Sequence, residues 1–367
     1  MIALDVYNLP LDRLKAAFTN DPIKSGLGAE PIAFAPRPDG ARRMKLLRIL
    51  PLCALTLFSG GTTAQAQTES NYPQRAITMI VPFPAGGPTD ILGRVIGQKL
   101  SDSLGQPVVI ENKGGGNTII GANLVAHAKP DGYTLLLAVD NTLVMNQSLY
   151  SNLSYDPIKD FEPISKVAIS PLIIVSGAKG FKTMKELIDN VKANPGKVSY
   201  GFGTITTQLG GELLKNSLGL DMLGVPYRGS AGTVQGLLSS DVDFIIDGVT
   251  TALPHIKSSK ASAVALLGKE KAPGLENLPR VAAEPGLDGF DVSVWMGLVA
   301  PKGTPQAVID KLSQEVAKIV VMPEVKEKLN AAGLRPESST PAQLRDYVLS
   351  ESAKWAPIIE KAGIRIQ

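Results

Sequence analysis

From residue 76 onward the spacing of apolar positions switches repeatedly between two periods. Residues 76–83 form a continuous β-rich run, and the stretch 90–104 puts Ile91, Leu92, Val95, Ile96 and Leu100 on one helical face. The pattern then predicts a strand over 108–111, a helix over 119–128 closed by Lys129-Pro130-Asp131-Gly132, and an apolar strand over 133–139. This β-α-β-α-β order implies a mostly parallel sheet covered by helices.

A second series of the same kind opens with an apolar strand over 170–175. Thr183-Met184-Lys185-Glu186 reads as a capping box, with Thr183 capping the helix amides and Glu186 reaching back, and that helix stops by Pro195-Gly196. A strand over 198–202, a helix from about 207 to 218, a strand over 222–227, a helix through 232–238 and a strand over 242–247 complete a second α/β unit. Beyond Val294 the pattern becomes helical. Thr304-Pro305 predicts an N-cap with Pro at the first helical position for a helix through about Val320. Thr340-Pro341-Ala342-Gln343 predicts a capping box for the last helix, which ends at Gly363. These helices have no strands of their own, so they are expected to pack back on the first unit. The expected architecture is therefore α/β, two lobes joined by two crossings, near Pro171 and near Trp295. Lobe I comprises 72–170 plus 295–367 and lobe II 171–294, with the ligand cleft between them.

Upstream of this body, Arg42-Arg43-Met44-Lys45-Leu46-Leu47-Arg48 is followed by an apolar run over 49–58 and then by Ala64-Gln65-Ala66, the three-part build of a cleaved signal peptide over 44–66. The run is too short for a membrane span, which needs roughly 20 residues. Residues 1–43 read as a non-native or mis-started extension without a fold. The one cysteine, Cys53, falls inside the segment expected to be removed, which suits an oxidising exported compartment, the periplasm.

Charge and composition narrow the function. The formal charge of +3 arises in residues 1–66, which hold 8 Lys and Arg against 5 Asp and Glu, and the remainder is neutral. No nucleic-acid footprint is expected. One cysteine and two histidines, His127 and His255, leave little for a metal site, and no metal or cofactor is expected. The chain has no Gly-x-Ser-x-Gly elbow for a nucleophilic serine. Nothing in the spacing of its carboxylates singles out a catalytic pair.

Four segments remain as candidates. Pro82-Phe83-Pro84-Ala85-Gly86-Gly87-Pro88-Thr89-Asp90 runs from a strand through a glycine turn into a helix, which is either an anion site made of main-chain amides or a tight connection capped by Thr89. Lys113-Gly114-Gly115-Gly116-Asn117 has the glycine separation of a phosphate loop, but Ala122-Asn123 stand where Lys and Ser/Thr are required, so a flexible surface turn is expected. Gly203-Thr204-Ile205-Thr206-Thr207-Gln208 opens a helix in the second unit, either gripping a carboxylate or capping the helix. Asp247-Gly248-Val249-Thr250-Thr251 follows a strand end, where ligands of open α/β sheets lie.

The residues of the mature chain resemble the Bug-type solute-binding receptors of tripartite tricarboxylate transporters, periplasmic proteins of the type II binding-protein fold. The likeness is carried by Tyr72-Pro73 with the segment 77–90, Gly105-Gln106-Pro107 with 108–112, Pro130-Asp131-Gly132-Tyr133, Val225-Pro226-Tyr227-Arg228-Gly229, Ala252-Leu253-Pro254-His255 and Gly297-Leu298-Val299 with 300–305, in that order over 72–367. The resemblance implies a receptor that binds a small organic carboxylate through main-chain amides and waters and hands it to integral membrane transporter subunits. It implies a monomer that performs no chemistry. A ligand-sensing partner of a signalling receptor and an enzyme of unknown reaction are the alternatives. By position, Phe83, Ala85, Gly86, Gly87 and Asp90 are expected to form the first-lobe half of the site, with Asp140 and Thr142 beside them, and Thr204, Thr206, Thr207 and Asp247 the second. The 203–208 loop departs from the family, with Gln208 where His is common, Ile205 where a small residue is usual and one residue fewer, which implies an altered ligand or a loss of binding.

Overall fold

The computed structural model describes residues 71–366, so the expected extension and signal peptide lie outside the described residues. Ten strands form one mixed sheet in the order β2-β1-β3-β9-β4-β7-β5-β6, with β8 and β10 both paired to β4. In the first half, β1 (Ile77–Val81) lies between β2 (Val108–Asn112) and β3 (Thr134–Val139), all parallel. Antiparallel β9 (Ser293–Pro301) follows β3, and β4 (Phe161–Gly177) follows β9. In the second half, β5 (Ser199–Phe202) runs parallel to both β6 (Leu223–Pro226) and β7 (Phe244–Gly248), while β8 (Ala261–Leu266) and β7 flank the far end of β4.

The 17-residue β4 is the bridge between the halves. Its residues up to Pro171 pair with β9, and from Leu172 onward it pairs with β7 and β8. The return passage lies at Val292, whose amide bonds Leu267 O in the second half, next to Ser293, which pairs with Pro171 in the first.

Helices cover both faces. On one face α1 (Pro88–Leu104), α8 (Gln306–Ile319) and α9 (Pro323–Ala331) close a core of Met79, Leu92, Ile96, Leu312 and Val316. Further along the same chain α6 (Gly229–Leu238) and α7 (Val249–Lys257) close a second core around Ile245 and Val234. A third core extends through both halves, built from α2 (Ile119–Ala126), α4 (Met184–Ala193), α5 (Ile205–Leu218) and α10 (Pro341–Ala362). The last helix packs on the first half, against β4 and residues 141–149, and also reaches the second. Leu344, Trp355 and Ile359 of α10 share a core with Leu209 and Leu214 of α5. Two more contacts join the halves: Lys354 Nζ donates to Asp291 O at 2.7 Å, and Arg335 of β10 (Arg335–Pro336) pairs with Glu270.

The capping signals are realised with local changes. Thr340 and Gln343 exchange both bonds of a capping box, and Thr183 accepts from Glu186 N. Glu186 reaches back one residue further than expected, to the amide of Lys182 at 2.7 Å. Thr304 is not the cap of α8; that position falls to Pro305, and the Thr304 hydroxyl donates to Pro301 O at 2.8 Å. Among the described residues, no helix is long and apolar enough to cross a membrane and no group of three His, Cys, Asp or Glu side chains is placed to hold a metal.

Candidate functional site

The turn after β1 is built around Asp90. A strand that ends at Val81 is followed by two prolines and two glycines before Pro88 starts α1, and Gly86 turns the chain with φ of 89°, in the left-handed region where a side chain is strained. Asp90, buried in the first turn of α1, ties the turn down. Its Oδ2 accepts from the Gly86 amide at 2.9 Å and from Arg94 Nε at 3.0 Å, and its Oδ1 accepts from Asn112 Nδ2 at 3.0 Å. Asn112 also donates to Phe83 O at 3.0 Å. Burial opposes the charge on Asp90, but the bonds from Arg94, Gly86 and Asn112 and the Arg94 charge outweigh it and hold the carboxyl below its ordinary range.

This arrangement changes the expected roles. Asp90 is a brace, and the Gly86 amide is committed to it. Thr89 does not cap the helix; Gly87 occupies that position without a side-chain bond. The amides of Ala85 and Gly87 have no acceptor among the described residues. They stand beside the first-turn amides of α1, where the helix dipole favours an anion.

The loop after β2 extends this surface. Gly114 packs against Pro84, with an ideal Cβ at 3.2 Å from its ring. Residues 113–116 are exposed, as the surface-turn reading expects, but Asn117 and Thr118 are not part of a free turn. Both have positive φ, at 50° and 77°, which for a β-branched threonine is a strained conformation. They are held by a polar network: Asn117 Oδ1 accepts from Asn141 Nδ2 at 2.6 Å, Asn117 Nδ2 donates to Asn146 Oδ1 at 2.8 Å, and Thr118 Oγ1 accepts from Thr142 Oγ1 at 2.8 Å. Tyr155 closes the network by donating to Thr142 O at 2.7 Å. Thr142 is therefore fully buried and internally paired. Its neighbours lie in a π-helical turn, Asn141–Met145, which continues into α3 (Asn146–Leu149).

Asp140, at the end of β3, connects this network to the second half. Its Oδ2 accepts from Thr206 Oγ1 of α5 at 2.7 Å, and both residues are buried. Burial pushes the Asp140 carboxyl up to about 7, against the bonds from Thr206 and the Asn141 amide and with the nearby Glu351 charge adding to the rise. Thr204 and Thr207 behave as a capping pair: Thr204 Oγ1 accepts from Thr207 N at 3.3 Å, and Thr207 Oγ1 accepts from the amides of Thr204 at 3.1 Å and Gly203 at 3.3 Å. Gly203 permits α6 to approach, because a Cβ there would sit 2.6 Å from the Gly229 carbonyl carbon.

Asp247 ends β7 behind this cluster. Its Oδ1 accepts from Gly248 N at 2.7 Å and from Thr251 Oγ1 at 3.2 Å, and burial lifts the carboxyl to about 6 against bonds from Ser230, Gly248 and Thr251. Among the described residues no hydrogen bond joins it to the Asp140–Thr206 pair or to the Phe83–Asp90 turn. His127 lies on the surface, its ring bonded to Asn123 O at 2.9 Å. Sequence reasoning missed Asn112, Asn117, Thr118, Asn146 and Tyr155. The only signal available for Asn117 was its position after three glycines, where asparagine tolerates a left-handed turn.

Comparison with known proteins gives this arrangement a context. Residues 92–364 match the family model described as the tripartite tricarboxylate transporter family receptor. The chain belongs to that family. Among solved structures, the periplasmic binding protein BugD is 36% identical with a TM-score of 0.70, covering 81% of this chain and 100% of its own. Rpa4515 of R. palustris, solved with adipate, is 31% identical with a TM-score of 0.73, covering 80% of this chain and 99% of its own. MatC of Rhodopseudomonas palustris, solved with bound malate, is 31% identical with a TM-score of 0.67, covering 78% and 100%. The chain thus shares the two-lobed α/β fold of Bug-type binding proteins.

Proposed function

We propose that this receptor captures a small organic carboxylate between the turn from Phe83 to Asp90 and the start of α5, and delivers it to integral membrane transporter subunits. The observation that carries the reading is a pair of polar groupings at the ends of the first-half strands: the amides of Ala85 and Gly87 at the start of α1, and the network that ties Asn117 and Thr118 to Asn141 and Thr142, next to the Asp140–Thr206 bond to α5. The arginine beside the turn, Arg94, is neutralised by Asp90. An anion here is held by amides and the α1 dipole, as helix N-termini hold anions generally. Adipate and malate in two relatives support a carboxylate as the ligand class.

In this reading Ala85 and Gly87 contact the ligand directly. Phe83, Gly86 and Asp90 shape the turn, Thr204 and Thr207 fix the helix that presents Thr206, and Asp140, Thr142 and Asp247 set the polarity around it. The lobes divide at 170/171 and 294/295 and close on the ligand because a molecule touching both is bound better by the closed state. The protein acts as a monomer in the periplasm after removal of residues 44–66, and it returns its ligand unaltered. Isothermal titration of the full chain against a panel of dicarboxylates and tricarboxylates tests the binding, with saturable one-to-one uptake expected. Absence of binding to every acid overturns the reading. N-terminal sequencing of the exported protein is expected to begin at Gln67, and nuclear magnetic resonance of the ligand after incubation to show no product.

A further inference from the structure

Asp140 stands where three elements meet: the end of β3 in the first half, the start of α5 in the second, and α10, which packs on both. It is buried, and its Oδ2 accepts from Thr206 Oγ1 at 2.7 Å. No cation shares this space. From α10 the ionisable groups that face it are Tyr347 and Glu351. Lys354 of the same helix is committed to Glu351 at 3.1 Å and to Asp291 O, and Lys166 of β4 is held by Glu337 at 3.1 Å over the Tyr347 ring. From α5 and the turn after β3 the neighbours are Thr206, Asn141 and Met145, which do not titrate.

The enclosure is made jointly by the two halves. Thr206 belongs to the second half and Asp140 to the first, so parting them at this point exchanges the hydroxyl for water. A carboxyl in water ionises at its ordinary value, whereas one enclosed without a cation resists its charge. Here burial lifts it to about 7, with the Glu351 charge adding to the rise and the bonds from Thr206 and the Asn141 amide offsetting only part of it.

We propose that closure of the two halves is linked to protonation of Asp140: the closed receptor takes up a proton that the open one releases, so ligand affinity falls as the pH rises through the neutral range. This regulation rests on the carboxylate reading and on closure around the ligand. The contribution of Asp140 to closure is fully present below 3.8 and is lost as the pH rises through about 7. Closure therefore takes up nearly one proton at about pH 6 and about a tenth of one at about pH 8, and affinity falls about tenfold between them.

The experiment is isothermal titration of the full chain and of Asp140→Asn with the tightest-binding acid among adipate, malate, succinate and citrate. It is run at about pH 6 and about pH 8, each in two buffers of different ionisation heat, which counts the protons bound with the ligand. The variant carries the acid's own titration and serves as its reference. The unaltered protein is expected to take up close to one proton more than Asp140→Asn at the lower pH, and its affinity to fall about tenfold further by the higher. Equal proton counts, or affinities that change in parallel, overturn the inference and leave the carboxylate reading standing. Should a thermal melt show that the variant fails to fold, the count in the unaltered protein decides, and one that does not fall with pH overturns the inference. Should no acid bind, the carboxylate reading fails, and small-angle scattering of the unliganded full chain decides this one. A smaller radius of gyration at about pH 6 than at about pH 8 supports the linkage, and an unchanged radius overturns it.

Discussion

Replacing Asp140 by Asn should stabilise the protein, and only at neutral to alkaline pH. The carboxyl is pushed from 3.8 to about 7 chiefly by burial, so the folded chain holds this proton more tightly than the unfolded chain does. Below pH 3.8 the group is neutral in both states and its contribution is fully present. As the pH rises through about 7 that contribution is lost, because the folded state must ionise a buried group. At about 1.36 kcal/mol per pH unit, the interval from 3.8 to about 7 corresponds to about 4 kcal/mol. Asparagine has nearly the same shape, still accepts from Thr206 through its carbonyl oxygen, and carries no charge to bury. With on the order of 2 °C in melting temperature per kcal/mol for a chain of this size, Asp140→Asn should melt about 8 °C above the parent at about pH 8. The two should converge as the pH approaches about 4. Thermal unfolding without ligand at both pH values provides the measurement. A variant less stable than the parent at the higher pH, or an offset that does not change with pH, would refute the reasoning.

Three further outcomes follow from the site. Asp90→Ala removes the acceptor for Gly86, Arg94 and Asn112 and should cost about 1–3 kcal/mol in chemical denaturation at neutral pH. Its carboxyl is held below 3.8, so that stability is present above this pH and lost as the pH falls below it, opposite in direction to Asp140. Gly203→Ala places a Cβ 2.6 Å from the Gly229 carbonyl carbon and should lower stability by about 1–3 kcal/mol by displacing the start of α6, read as a fall in melting temperature. Gly86→Val puts a β-branched side chain at φ of 89°, where nothing crowds the Cβ, so folding should survive with a loss of about 1–2 kcal/mol while ligand affinity falls as the turn relaxes.

Much of the α/β alternation was legible because strands such as Thr134–Val139 are continuously apolar and helices such as α10 announce both ends, with Thr340 and Gln343 at one and Gly363 in a left-handed turn at the other. The full length of β4 was not. Glu162, Pro163 and Lys166 interrupt its apolar pattern, and the buried Lys166 is tolerated only because Glu337, 3.1 Å away, and the Tyr347 ring compensate it from 170 or more residues further along the chain. The helix Pro323–Ala331 was missed because only Val325 and Leu329 are buried in it.

At the site, the glycine turn and the hydroxyl-rich start of α5 could be read directly, since glycine, proline and threonine act there through local backbone geometry. What those side chains touch could not. The Asp140–Thr206 bond joins residues 66 apart in sequence, and the Asn117–Asn141 bond joins residues 24 apart. Asp90 illustrates the limit: a carboxylate in the first turn of a helix suits a ligand contact and a local brace equally well by spacing, and only its three bonds to Gly86, Arg94 and Asn112 separate the two.

The most direct test of the central claim is thermal unfolding of the full chain across a panel of small organic acids. At a ligand concentration about a hundred times Kd, binding to the folded state alone should add about 2.7 kcal/mol, a rise of about 5 °C, for one or a few acids and for none of their methyl esters. A melting temperature that no acid moves, or that an acid and its uncharged ester raise equally, would contradict the claim that main-chain amides at the turn after β1 grip a carboxylate.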